Sequence, residues 1–148
     1  MPATLDDARA TVDAFLVQVG VDGDVSAEGF WTARCGSTVL VLSAFSHEER
    51  NYLRIAAIVL VGGRTSLDLL TRLLRLNAEA LFGAFQLFDD QTVAFTHTIP
   101  IDGLSLDHFE NALRYVARVA DDHDEALQAL AGGERAEDLL DPHRPPAW

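Results

Sequence analysis

The stretch LLTRLLRLNAEALFGAF, residues 69 to 85, constrains the fold more than any other part of the chain. Set at the α-helical period of about 100° per residue, Leu67, Leu69, Leu70, Leu73, Leu74, Leu76, Ala80 and Leu81 spread over half the circumference. Asp68, Thr71, Arg72, Arg75 and Glu79 take most of the other half. A helix seated on one core needs an apolar stripe of only about 100°. This helix carries more greasy surface than one core uses, and Asn77 stands inside that arc.

Before it lie three strand-like runs, GFWTARC, STVLVLSAF (Ser37 to Phe45) and NYLRIAAIVLV (Asn51 to Val61), the last two separated by the polar SHEERN. In the middle run Val39, Val41 and Phe45 alternate with Leu40, Leu42 and Ala44, so both faces are apolar. Such strands are expected to be covered on both sides. After the helix come AFQLF and TVAFTHTIPI, joined by DDQ with Asp at the turn. Val93, Phe95, His97 and Ile99 share one face of the second, and Pro100 ends its ladder.

Two more helices bracket these strands. Leu5, Ala8, Val12, Phe15, Leu16 and Val19 recur at helical spacing behind Thr4, a good N-cap, until GVDGD breaks the helix as a turn. Leu106, Phe109, Leu113, Val116, Ala117 and Ala120 form the stripe of a last long helix capped by Ser105, with Leu104 and Phe109 placed for a hydrophobic staple. Asp124 falls on that stripe, so the final turns are expected to run past the core. The order is α-β-β-β-α-β-β-α: one α+β domain over residues 1–131 with an antiparallel sheet of about five strands. A Pro-rich tail over 132–148 ends in Trp148, either flexible or packed on the domain.

Composition narrows the chemistry. The net charge of −12 argues against a nucleic-acid partner, whose affinity comes from Lys and Arg. All eleven basic residues are Arg, which removes Schiff-base chemistry and a P-loop lysine. Cys35 is the single cysteine, so no intrachain disulfide and no cysteine zinc site is expected, and it reads as a small, partly buried hydrophobe. No apolar run reaches the roughly 20 residues of a membrane span, and the acidic N-terminus lacks a basic leader. A cytoplasmic protein with no membrane partner is expected.

Catalytic patterns are weak. SHEER lacks the second histidine of a zinc protease motif, and no serine sits in G-x-S-x-G. ADDHDEA (120–126) reads as a solvated acidic surface, because consecutive helical residues point around the axis. His97 reads as a core histidine with its ring hydrogen-bonded, against the sharper reading of a ligand or acid–base group beside Thr96 and Thr98. No catalytic residue, metal or cofactor is assigned, and the protein is not expected to be an enzyme.

The surplus apolar surface is the positive signal. Burying Leu-sized side chains, at about 1.5–3 kcal/mol each, is enough to hold two subunits together. The expected homodimer interface is Leu69, Leu70, Leu73, Leu76, Asn77 and Ala80. Asn77 is expected to end its helix with its amide on backbone groups, the alternative being that it fixes the register of the dimer.

LN at 76–77 after the leucine-rich helix, LFGAFQLFDD (81–90), TVAFTHTIP and LSLDHFENALRYVARVADDHDEALQAL resemble the YbjN-like domains, which are grouped with the type III secretion chaperones. The resemblance covers roughly Phe30 to Ala131, and the first helix fits in order. It implies a secretion-chaperone-like fold, frequent homodimerisation and a protein or peptide client, with no catalytic residue. The expected function is a non-enzymatic, peptide-binding chaperone-like or adaptor protein with a regulatory role in stress or signalling. A small-molecule-binding regulator or a structural subunit of a larger assembly is the alternative. Phe15, Trp31, Phe45 and Tyr52 are the expected client groove, which Trp148 would occupy when no client is present.

Overall fold

The computed structural model describes residues 3–21, 23–25 and 29–139. Helix α1 (Leu5–Val19) starts from a full capping box, in which Thr4 and Asp7 each accept the other's backbone N–H. Strands β1 (Gly23–Val25), β2 (Phe30–Cys35), β3 (Thr38–His47) and β4 (Arg50–Val61) follow, then α2 (Leu67–Glu79), capped by Ser66. Strands β5 (Ala84–Leu87) and β6 (Val93–Pro100) lead to α3 (Leu106–Ala131), capped by Ser105. The two-residue β7 (Glu134–Arg135) and α4 (Ala136–Leu139) close the described chain.

All strand pairs are antiparallel in the order β1-β2-β3-β4-β6-β5, with β7 on the far end of β4. The expected order of elements holds, and two short strands and a short helix are added to it. GVDGD is therefore more than a turn: Gly23–Val25 pairs with Ala33–Trp31 at the sheet edge. The tail begins packed, since Glu134 and Arg135 pair with Val61 and Leu60 and Ala136 is buried. Residues 140–148, with Trp148, lie outside the described ones.

Register decides which strand residues meet the core. Trp31, Leu42, Ile55 and His97 form one cross-strand row, and Ala33, Leu40, Ala57, Phe95 and Phe85 the next. These rows face α1 and α3: Phe15 of α1 lies 5.3 Å from Phe109 of α3, and Tyr115 of α3 packs edge-on to Phe95. Trp31 is buried, with its indole N–H donating to Asp13 of α1 at 2.7 Å. Helix α2 packs against β5 and α3. Among the described residues α1 and α3 pack together on this one face, and β3 presents Val39, Val41 and Phe45, each partly buried, on the other.

Helix α3 also departs from expectation at its end. Leu127 and Ala131 are buried, so the final turns belong to the core. Asp124 is half-buried among them, and that burial pushes its carboxyl above the ordinary carboxylate range. The β3–β4 hairpin is tighter than SHEERN suggests. His47 pairs with Arg50, leaving Glu48 and Glu49 as a two-residue turn at φ 48° and 63°, the primed-turn geometry usually given to Asn-Gly.

Candidate functional site

A cleft of about 350 Å³ opens where β6 meets the first half of α3. His97 and Ile99 form its floor by period two, on the core-facing side of β6. His108, Asn111, Ala112 and Tyr115, spaced i, i+3, i+4, i+7, give one wall from a single face of α3. The turn carrying Pro100, Asp102 and Gly103 closes one end, and Phe82 stands at the other.

Phe82 is held there by two contacts. Its ring stacks on the His97 imidazole at 5.4 Å, and the Tyr115 hydroxyl accepts the backbone N–H groups of Leu81 and Phe82 at 2.9 and 3.2 Å. The imidazole of His97 makes no hydrogen bond among the described residues, in contrast to the ring expected from sequence. Burial against these groups lowers its pKa below the ordinary 6.5. As pH falls through that window the unfolded chain takes the proton first, so stability drops on the acid side of 6.5. In His97→Phe, which keeps the stack on Phe82, that part of the decline disappears. Urea midpoints above and below 6.5 for both proteins measure it, and identical pH slopes would rule the imidazole out as its source.

The edge of β6 beside the cleft is bare. β5 pairs with β6 only from Val93 to Thr96. Ala94 and Thr96 point their backbone groups toward β5, and by the same alternation Thr98 presents its N–H and C=O on that side where no strand lies. The outer edge of β5 is closed by a side chain instead. The Asn77 oxygen accepts the Phe85 N–H at 2.6 Å, and its amide nitrogen donates to the Phe85 C=O at 3.2 Å. Asn77 does use its amide on backbone groups, as expected, but those of β5; its own helix ends on the Ala80 N–H to Leu76 bond.

The sequence-derived sites separate in space. Leu69, Leu73 and Leu76 are at most 5% exposed, committed to the chain's own core. Asn77 is engaged with β5 and Ala80 packs on the core, which leaves Leu70 at the surface. Leu67 and Leu74 are exposed with it, and α2 therefore has two apolar stripes, one buried and one at the surface; Leu81, just past the helix, is exposed as well. Phe15 and Trp31 lie on the helix-covered side, while Phe45 and Tyr52 stack at 5.8 Å on the opposite side of the sheet. The four do not line one groove. Within ADDHDEA, Asp121 accepts from Ser37, His123 meets Phe85 edge-on and Glu125 pairs with Arg135. Cys35 lines a second hollow with Arg114 and Arg118. Among the described residues no group of three or more His, Cys, Asp or Glu is placed to hold a metal, and no helix is long and apolar enough to cross a membrane.

A sheet with helices packed on one face, an open cleft, a strand edge unpaired at Thr98 and exposed apolar side chains offers the kinds of surface that groove binding and strand addition use. The chain belongs to the family described as T3SS (YopN, CesT) and YbjN peptide-binding chaperone 1, whose model matches residues 6–139. No curated protein matches it at a significant level. Among solved structures it is similar to a chain of the ExsC–ExsE complex, at 17% identity and a TM-score of 0.65 over 83% of this chain and 95% of that one. It is also similar to the Yersinia pestis type III secretion chaperone SycH, solved with a stable fragment of YscM2 (15%, 0.59, 78% and 98%). The HopA1–SchA chaperone–effector complex gives 16%, 0.60, 84% and 99%. These likenesses show the shared fold.

Proposed function

We propose that this protein is a non-enzymatic, homodimeric chaperone or adaptor that holds an extended client segment in the cytoplasm, in a regulatory role. The observation that carries the reading is the bare length of β6 at Thr98 alongside the Phe82–His97–Tyr115 cleft. A client strand laid there gains main-chain hydrogen bonds from Thr98, and the cleft takes one of its apolar side chains, the usual division between affinity and specificity in strand addition.

Asn111→Trp tests this, because Asn111 is exposed on α3 and an indole there fills the cleft without entering the core. Peptides selected on the wild-type protein by phage display are expected to bind Asn111→Trp at least about tenfold more weakly, with an unchanged melting temperature. Failure to select any peptide, or equal affinity for the two proteins, would overturn the reading. The second reading, a small-molecule regulator, is favoured by the polar groups that converge on the same cleft from His97, Asp102, His108 and Asn111. Native mass spectrometry of protein from its own host distinguishes them: a co-purifying polypeptide supports the first, a bound small molecule the second.

A further inference from the structure

The charge of this molecule is segregated. Strands β2 to β6 contain no Asp or Glu at all; among the described residues the carboxylates lie on helices, turns and the short strands. The same five strands carry Arg34, Arg50 and Arg54. Register puts all three on the face turned away from α1 and α3: Arg54 sits in the row Phe30–Ser43–Arg54–Thr98, Arg50 shares the parity of Tyr52, and Arg34 that of Phe30 and Thr32. Arg34, Arg50 and Arg54 are exposed and make no ion pair among the described residues; Arg54 lies 5.2 Å over the Phe45 ring.

Between these guanidinium groups the face is apolar or small. Phe45 and Tyr52 stack at one end, Phe30 is 43% exposed, and the row Thr32–Val41–Ala56 crosses β2, β3 and β4 with no long side chain, while farther along it Thr96 of β6 is buried. Among the described residues the contacts that fix α1 and α3 on the sheet, Trp31 to Asp13, Phe15 to Phe109 and Tyr115 to Phe95, fall on the opposite face. A flat surface of this kind admits a polypeptide lying across the strands.

We infer that this open sheet face docks an amphipathic polypeptide segment whose apolar side chains alternate with Asp or Glu, a refinement that rests on the client-binding reading above. The chemistry selects the occupant. The molecule as a whole, at −12, repels an acidic segment. Here three guanidinium forks are free to take carboxylates, and the aromatic and aliphatic rows take the apolar side chains. A second copy of the chain does not suit the same patch, because a two-fold pairing of the face with itself sets arginines against arginines.

Two synthetic peptides with identical leucine and phenylalanine positions, one with Glu and one with Lys between them, test the inference by fluorescence anisotropy. The Glu peptide is expected to bind about tenfold or more tightly than the Lys peptide, with affinity falling as salt is raised. Arg34→Glu/Arg54→Glu, both at exposed positions, is expected to reverse the preference, and Asn111→Trp to leave it unchanged. A preference for the Lys peptide, or a Glu peptide indifferent to the arginine reversal, would sink the assignment. So would arginine-dependent binding to anionic phospholipid vesicles in place of the peptide. If phage-selected peptides still bind the cleft in those cases, the chaperone reading stands without this face. If no peptide binds anywhere, both fall.

Discussion

Replacing Leu70 and Leu74 together by glutamate is expected to leave the protomer folded and to dissolve the homodimer proposed above. In α2 the buried stripe of Leu69, Leu73 and Leu76 already fills the core, so the second stripe is available for something else. Leu67 is 80% exposed, Leu70 39% and Leu74 71%, on steps of three and four residues that keep them on one side, and Leu81, 76% exposed, follows just past the helix end. Leucines fully buried at about 1.5–3 kcal/mol each, counted from both subunits of a two-fold pair, exceed the lower range of association costs. Two glutamates in that seam lose the apolar gain and leave charges to be desolvated. The expected rise in the dimer dissociation constant is more than about a hundredfold, a loss of roughly 3 kcal/mol. Sedimentation velocity over a concentration series measures it, and circular dichroism checks that the helix survives. A wild-type protein that is monomeric at every concentration, or a double variant that sediments like wild type, would refute the α2 interface.

Periodicity made the leucine arc visible but not its division. A helical wheel shows that half the circumference is apolar; which part meets the core depends on where β5 and α3 stand, and that is tertiary information. Strand parity was legible in the same partial way. The sharing of a face by Val93, Phe95, His97 and Ile99 follows from period two, and the structure keeps it. That Trp31 and Phe45 point to opposite sides follows only from the pairing of Trp31 with Leu42. Which of two greasy faces receives α1 and α3 is likewise not written in the alternation of β3, since both faces are apolar. The short β1 and β7 left no trace, since Gly23–Val25 and Glu134–Arg135 pair through backbone without an apolar alternation. The Glu48–Glu49 turn was hidden for another reason: two glutamates at positive φ contradict turn chemistry, and the paired strands hold them there.

The cleft was more readable than it first looked. His108, Asn111, Ala112 and Tyr115 are one helical face beside the apolar stripe of Phe109, Leu113 and Val116, and the Pro100–Gly103 turn lies directly before that helix. What the sequence withheld was the partner of His97. Phe82 reaches it from a loop fixed by Tyr115, a residue 33 positions further along the chain.

Asn77→Leu is expected to destabilise the protein by about 2–4 kcal/mol while leaving its oligomeric state unchanged. The amide of Asn77 stands in for a neighbouring strand, satisfying both backbone groups of Phe85 on the outer side of β5. Each orphaned, partly buried backbone group costs about 1–3 kcal/mol, and leucine offers neither donor nor acceptor. Asn77→Asp is expected to fall between the two, because a carboxylate still accepts the Phe85 N–H but sets oxygen against its C=O. The direct readout is hydrogen exchange at the Phe85 amide, whose protection in the wild-type protein comes from Asn77 and not from β6. That amide is expected to exchange faster in Asn77→Leu, while the amide of Phe95, which points to β4, keeps its rate relative to global unfolding. Unchanged protection at Phe85 would remove the latch. A changed oligomeric state with stability intact would instead place Asn77 in the seam between subunits, where one amide fixes the register of a leucine stripe.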